Sequence, residues 1–147
     1  MIFHEIVLAF KCNHFVILDL NGLIMETSVE EIKEFLQNAL KKHLGDLKVR
    51  HDKDTSFEVC GTIEAMQGKQ KVDGFYFASV MPKPKDCRLY FFPIYTHVAA
   101  FQFSDALKMQ LTGQSCFHVK KISPQLKEEI EGMIALGIDL YKQDGLI

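Results

Sequence analysis

The sequence predicts an α+β fold, an antiparallel sheet meander of about five strands with two long helices packed on one face. Three observations carry this reading. A capping signal at Ser28 opens a helix with one apolar stripe, segments of strand periodicity follow one another from Leu47 onward, and a second capping signal at Ser123 opens a longer amphipathic helix. The domain predicted from them spans residues 25–147, preceded by an apolar segment over residues 1–24.

That first segment is rich in Ile, Val, Leu and Phe, but His4, Glu5, Lys11, Asn13 and His14 interrupt it. A signal peptide or a spanning helix needs an unbroken apolar run, so a hairpin with strands over residues 2–10 and 15–20 is expected instead. A second reading places the true start of the chain at Met25. Asn21-Gly22 is a turn signal, and Ser28-Val-Glu-Glu31 is a capping box. Ile32, Phe35, Leu36, Ala39, Leu40 and Leu44 recur at helical spacing behind it, and Gly45 ends the run.

Leu47, Val49 and His51 alternate as a short strand, and a hairpin leads into a second strand over residues 57–65, with Phe57, Val59, Gly61, Ile63 and Ala65 on one face. The next strand, residues 71–81, is apolar on both sides, with Val72, Tyr76, Ala78 and Val80 on one and Phe75, Phe77 and Met81 on the other. Pro82-Lys-Pro-Lys-Asp86 reads as an exposed connection. The strand Cys87-Arg-Leu-Tyr-Phe-Phe-Pro-Ile-Tyr-Thr-His97 is again apolar on both sides. A short helix capped by Ser104 or Asp105, a last strand over residues 115–121 and a long helix after Ser123-Pro124 complete the chain. Strands apolar on both sides imply that the sheet's second face is also covered, by residues 1–24, by a second copy in a homodimer, or by a ligand.

Composition narrows the function classes. Net charge is −2 with the lysines dispersed over 147 residues, so nucleic acid is not an expected partner, and neither is a membrane. Cysteines at 12, 60, 87 and 116 show no CxxC spacing, which predicts free thiols in a reducing, cytoplasmic setting. Cys116 and His118 leave the same face of a strand, but two ligands do not close a metal site. No nucleophile with its base, no cofactor loop and no paired carboxylates can be placed, so the expectation leans away from an enzyme and includes no cofactor.

The polar tips among the sheet aromatics are Arg88, Tyr90, Tyr95, His97, His118 and Lys120. They form the candidate ligand-binding set, suited to a small amphiphilic or anionic molecule in an apolar cleft. Strict alternation puts Arg88 and Tyr90 on one face and Tyr95 and His97 on the other, unless a bulge at Pro93 shifts the register.

From about Glu26 to Gly145, the aromatic strand ending Tyr-Thr-His97, the segment Leu111-Thr-Gly-Gln-Ser-Cys-Phe-His-Val-Lys-Lys121 and the closing helix resemble the YdhG-like family of small bacterial domains of unknown function. Cys60-Gly-Thr-Ile63 stands where that family has a Tyr-Gly-Met-Pro-like stretch. Some members are likened to frataxin-type iron chaperones, so the resemblance implies an alternative, iron-handling role. Its hard oxygen ligands would be Glu26, Glu30, Glu31 and Glu34, which read equally as the solvated first turns of an ordinary helix.

Overall fold

The computed structural model describes residues 28–147 throughout and, ahead of them, the backbone of three strands. These are β1 (Ala9–Lys11), β2 (His14–Leu18) and β3 (Ile24–Glu26), an antiparallel sheet in that order. The expected hairpin is present where Ala9 pairs with Val16 and Phe10 with Phe15. The rest of that expectation, and the cover that residues 1–24 were expected to give the main sheet, lie outside the described residues.

Helix α1 (Val29–Lys41) starts where the Ser28 hydroxyl oxygen accepts from the Glu31 N–H at 3.3 Å. Its buried stripe is Ile32, Leu36, Ala39 and Leu40. The strands that follow are β4 (Leu47–Lys53), β5 (Ser56–Gly61), β6 (Ala65–Gln67), β7 (Gln70–Val72), β8 (Tyr76–Pro82) and β9 (Cys87–Phe91). After them come α2 (Pro93–Thr96), a 3-10 turn (Val98–Ala100), α3 (Asp105–Lys108), β10 (Leu111–Thr112), β11 (Cys116–Val119) and α4 (Pro124–Gln143).

The main sheet has six antiparallel strands in the order β10-β11-β9-β8-β5-β4, a meander as expected, with the two-residue β10 as the strand the periodicity did not show. Its register sorts the side chains into two rows. Phe57, Val80, Leu89 and Phe117 lie opposite one another across four strands and are all fully buried. This row joins Ile32, Leu36 and Leu40 of α1 and Ile130, Ile134 and Ile138 of α4 in one core. The alternate row, Glu58, Ser79, Tyr90, Cys116 and Thr112, faces the other way.

The expected strands over 57–65 and 71–81 are both cut short, because the chain leaves the main sheet between them to form the separate β6–β7 hairpin. At the point of departure Gly74 packs on the Gly61 carbonyl, with no room for a Cβ between them. The register then shifts, since Val59 pairs with Ala78 but Cys60 pairs with Tyr76, leaving Phe77 as an extra residue. This bulge corrects the expected face of Phe77. Together with Ala78 it is fully buried, meeting Tyr141 of α4 edge-on at 5.1 Å and Phe91 at 5.4 Å. Tyr76 goes to the second face, where its hydroxyl donates to Ser79 Oγ at 2.8 Å.

The expected strand 87–97 also ends early, at Phe91. Pro93 carries no N–H for the ladder and its fixed φ suits the first position of a helix, so the chain turns into α2. Among the described residues, no helix is long and apolar enough to cross a membrane.

Candidate functional site

Arg88 and Tyr90 leave β9 on the second face of the sheet. In register with them on β11 are His118, opposite Arg88, and Cys116, opposite Tyr90. Directly before β9 lies Asp86, only 7% exposed, with one carboxylate oxygen 3.5 Å from Arg88 Nε and the other 3.8 Å from His118 Nδ1. Lys120 follows β11 and is exposed. Arg88, Tyr90, His118 and Lys120 therefore share one end of the sheet.

Tyr95 and His97 do not join them. The turn into α2 carries both away, leaving Tyr95 54% exposed and stacked on Phe92 at 5.3 Å. His97 holds Asp144 at the end of α4, with Nε2 2.9 Å from its carboxylate, while Nδ1 lies 2.8 Å from Thr96 Oγ1. The six expected residues thus divide into a group of four and a separate pair.

A groove of about 520 Å³ opens at the β10–β11 edge, lined by His118 and Lys120 of this group but not by Arg88 or Tyr90. His118, Lys120 and Lys121 from β11 and the residues after it line it, with Gln110 and Thr112 of the neighbouring edge. Ala106 and Met109 from the α3 segment make one wall, and Ser123 and Leu126 at the start of α4 make the other. Gln110 is tied into this edge by its carbonyl oxygen, which accepts from the His118 N–H at 2.8 Å. Its side-chain amide donates to the Ala106 carbonyl at 3.5 Å, and that leaves Oε1 buried without a hydrogen-bond partner. Such an acceptor, without a partner among the described residues, costs free energy, and it is closed off from the groove.

The centre of the second face is polar and closed on itself. Arg50 Nη1 donates to Glu58 at 3.1 Å, Ser79 Oγ donates to the other Glu58 oxygen at 3.3 Å, and Tyr76 donates to Ser79. Burial pushes the Tyr76 hydroxyl up to about 12. It also pushes the thiols up: Cys87 to about 12, and Cys60 and Cys116 above the ordinary value, against a hydrogen bond from Tyr90 and the Arg88 charge at Cys116. These thiols stay protonated at neutral pH, and a thiol is a poor nucleophile and a poor metal ligand.

The acidic set of α1 is dispersed. Glu30 pairs with Lys33 at 2.9 Å, while Glu31 and Glu34 border a cleft towards α4 that also contains Lys42 and Lys127. The Glu26 side chain lies outside the described residues. Among the described residues no group of three or more His, Cys, Asp or Glu is arranged to hold a metal ion.

Sequence reasoning missed Asp86, Gln110 and the apolar walls. Asp86 ends a Pro-Lys-Pro-Lys run that reads as solvated loop, and its only signal is its place next to a strand apolar on both sides. Gln110 carries no signal at all, since its role comes from the β10–β11 pairing. No family model matches the chain, nor does any curated protein or solved structure. The YdhG-like resemblance accordingly stands on the residues named for it.

Proposed function

We propose that the protein is a non-enzymatic binding module for a small ligand, held in the groove between α3, β11 and the start of α4. One observation carries this reading. The groove combines the apolar side chains of Ala106, Met109 and Leu126 with a few polar groups, His118, Lys120 and Lys121 among them, in a volume within the usual range for small-molecule sites. The protonated thiols and the self-satisfied polar row support binding over nucleophilic chemistry.

The test is a titration with 8-anilinonaphthalene-1-sulfonate, followed by fluorescence and by amide chemical shifts. Saturable binding at one site, with shifts centred on Gln110, His118 and Leu126, is expected. Ala106 is exposed, so Ala106→Trp fills the groove without disturbing the core and should abolish that binding. Shifts elsewhere, or binding untouched by the tryptophan, would overturn the reading.

A further inference from the structure

We infer that the groove selects a free anionic amphiphile, a carboxylate or phosphate head on an apolar tail; this rests on the binding reading above and names its ligand class. The groove is lined by His118, Lys120 and Lys121 and by no carboxylate among the described residues. Asp86 lies beside His118 and the Arg88 guanidinium, which offsets its charge, while Asp105 and Glu129 flank the α3 wall without lining the groove.

A second source of positive potential points the same way. The N-terminus of α4, a helix of 20 residues, opens on the groove through Ser123 and Leu126, and its first turn carries no acidic residue. The positive end of the helix dipole favours an anion, although Pro124 has no N–H and the Leu126 and Lys127 N–H groups are held by Ser123. Ser123 Oγ accepts from the Leu126 N–H at 3.2 Å, and its O–H can be turned to donate to an incoming oxygen. Away from this end the lining is Ala106, Met109 and Leu126, with Met109 86% exposed. An apolar tail laid there removes that surface from water.

Three probes with the same ten-carbon tail test the charge: decanoate, decanol and decyltrimethylammonium, each titrated into the intact protein and located by amide shifts. Decanoate is expected to bind at least about tenfold more tightly than the cation, and Lys120→Gln with Lys121→Gln should cost decanoate about tenfold while leaving decanol unchanged. Equal binding of all three tails at the groove overturns the anion proposal and leaves the binding reading standing. If none binds there, the binding reading itself fails. Sedimentation with phosphatidylglycerol vesicles, without binding of free decanoate, would overturn the proposal in favour of a membrane surface.

Discussion

Glu129 of α4 accepts two hydrogen bonds from Ser104, one from its backbone N–H at 2.7 Å and one from its hydroxyl at 2.6 Å. Ser104 Oγ at the same time accepts from the Leu107 N–H at 3.3 Å and so caps α3. A single-turn helix has no stability of its own, and this residue of α4 holds it in place as one wall of the groove. Glu129→Ala should lower unfolding free energy by about 1 kcal/mol, since the bonds are charge-assisted but partly exposed to solvent. The same variant should weaken anilinonaphthalenesulfonate binding several-fold. Urea denaturation and the dye titration check the two effects, and unchanged dye binding would detach the clamp from the groove.

Gly132 and Gly137 lie in the same helix and make a matched pair. A Cβ at Gly137 would stand 2.6 Å from Phe91 Cζ and 3.2 Å from Phe77 Cζ, whereas nothing lies within 4 Å of one at Gly132. Alanine gains up to about 1 kcal/mol over glycine inside a helix. Gly132→Ala should realise that gain and raise the melting temperature. Gly137→Ala must also push apart an aromatic cluster, at a cost of about 1–3 kcal/mol, so it should lower the melting temperature.

What the sequence revealed and what it hid follow from the range of each signal. The Ser28 and Ser123 caps and the apolar stripes behind them are local, so both long helices were legible from neighbouring residues alone. The face assignment of a strand depends on unbroken register, and one bulge at Phe77 was enough to move that ring into the core and Tyr76 out of it. Pro93 was seen, but its effect was read as a shift of register when it is a change of element. That difference separates Tyr95 and His97 from Arg88, Tyr90 and His118. Asp86 and Gln110 owe their roles to partners on other strands, and no periodicity within their own segments records this.

Tyr141 is fully buried, and its hydroxyl donates to the carbonyl of Tyr76 next to the bulge. Desolvation holds that hydroxyl well above the usual tyrosine range. Tyr141→Phe keeps the edge-on packing against Phe77 but loses the hydrogen bond, so it should cost about 1–2 kcal/mol. Amide exchange should also quicken at the β5–β8 bulge. A variant as stable as the original, with exchange unchanged, would show that the bulge is held by packing alone.

The final prediction concerns alkaline pH. Cys87 is fully buried, and desolvation, with the nearby Asp86 charge adding to it, lifts its thiol from 9.0 to about 12. Tyr76 is lifted from 10.0 to about 12, chiefly by desolvation. Each group therefore holds its proton more tightly in the folded chain than in the unfolded one. Between the two values the unfolded chain releases a proton that the folded chain keeps, so stability falls as pH rises. The loss should begin near pH 9 from Cys87, with Cys60 and Cys116 adding to it, and steepen near pH 10 as Tyr76 and Tyr141 join. Cys87→Ala removes the largest thiol contribution at the cost of a small cavity, so the variant should start less stable at neutral pH yet lose less stability than the original between pH 9 and 12, the raised Cys60 and Cys116 thiols supplying the remaining early loss. Urea midpoints taken across this range decide the matter. Parallel curves for the two proteins would mean that Cys87 ionises as readily in the folded chain as in the unfolded one.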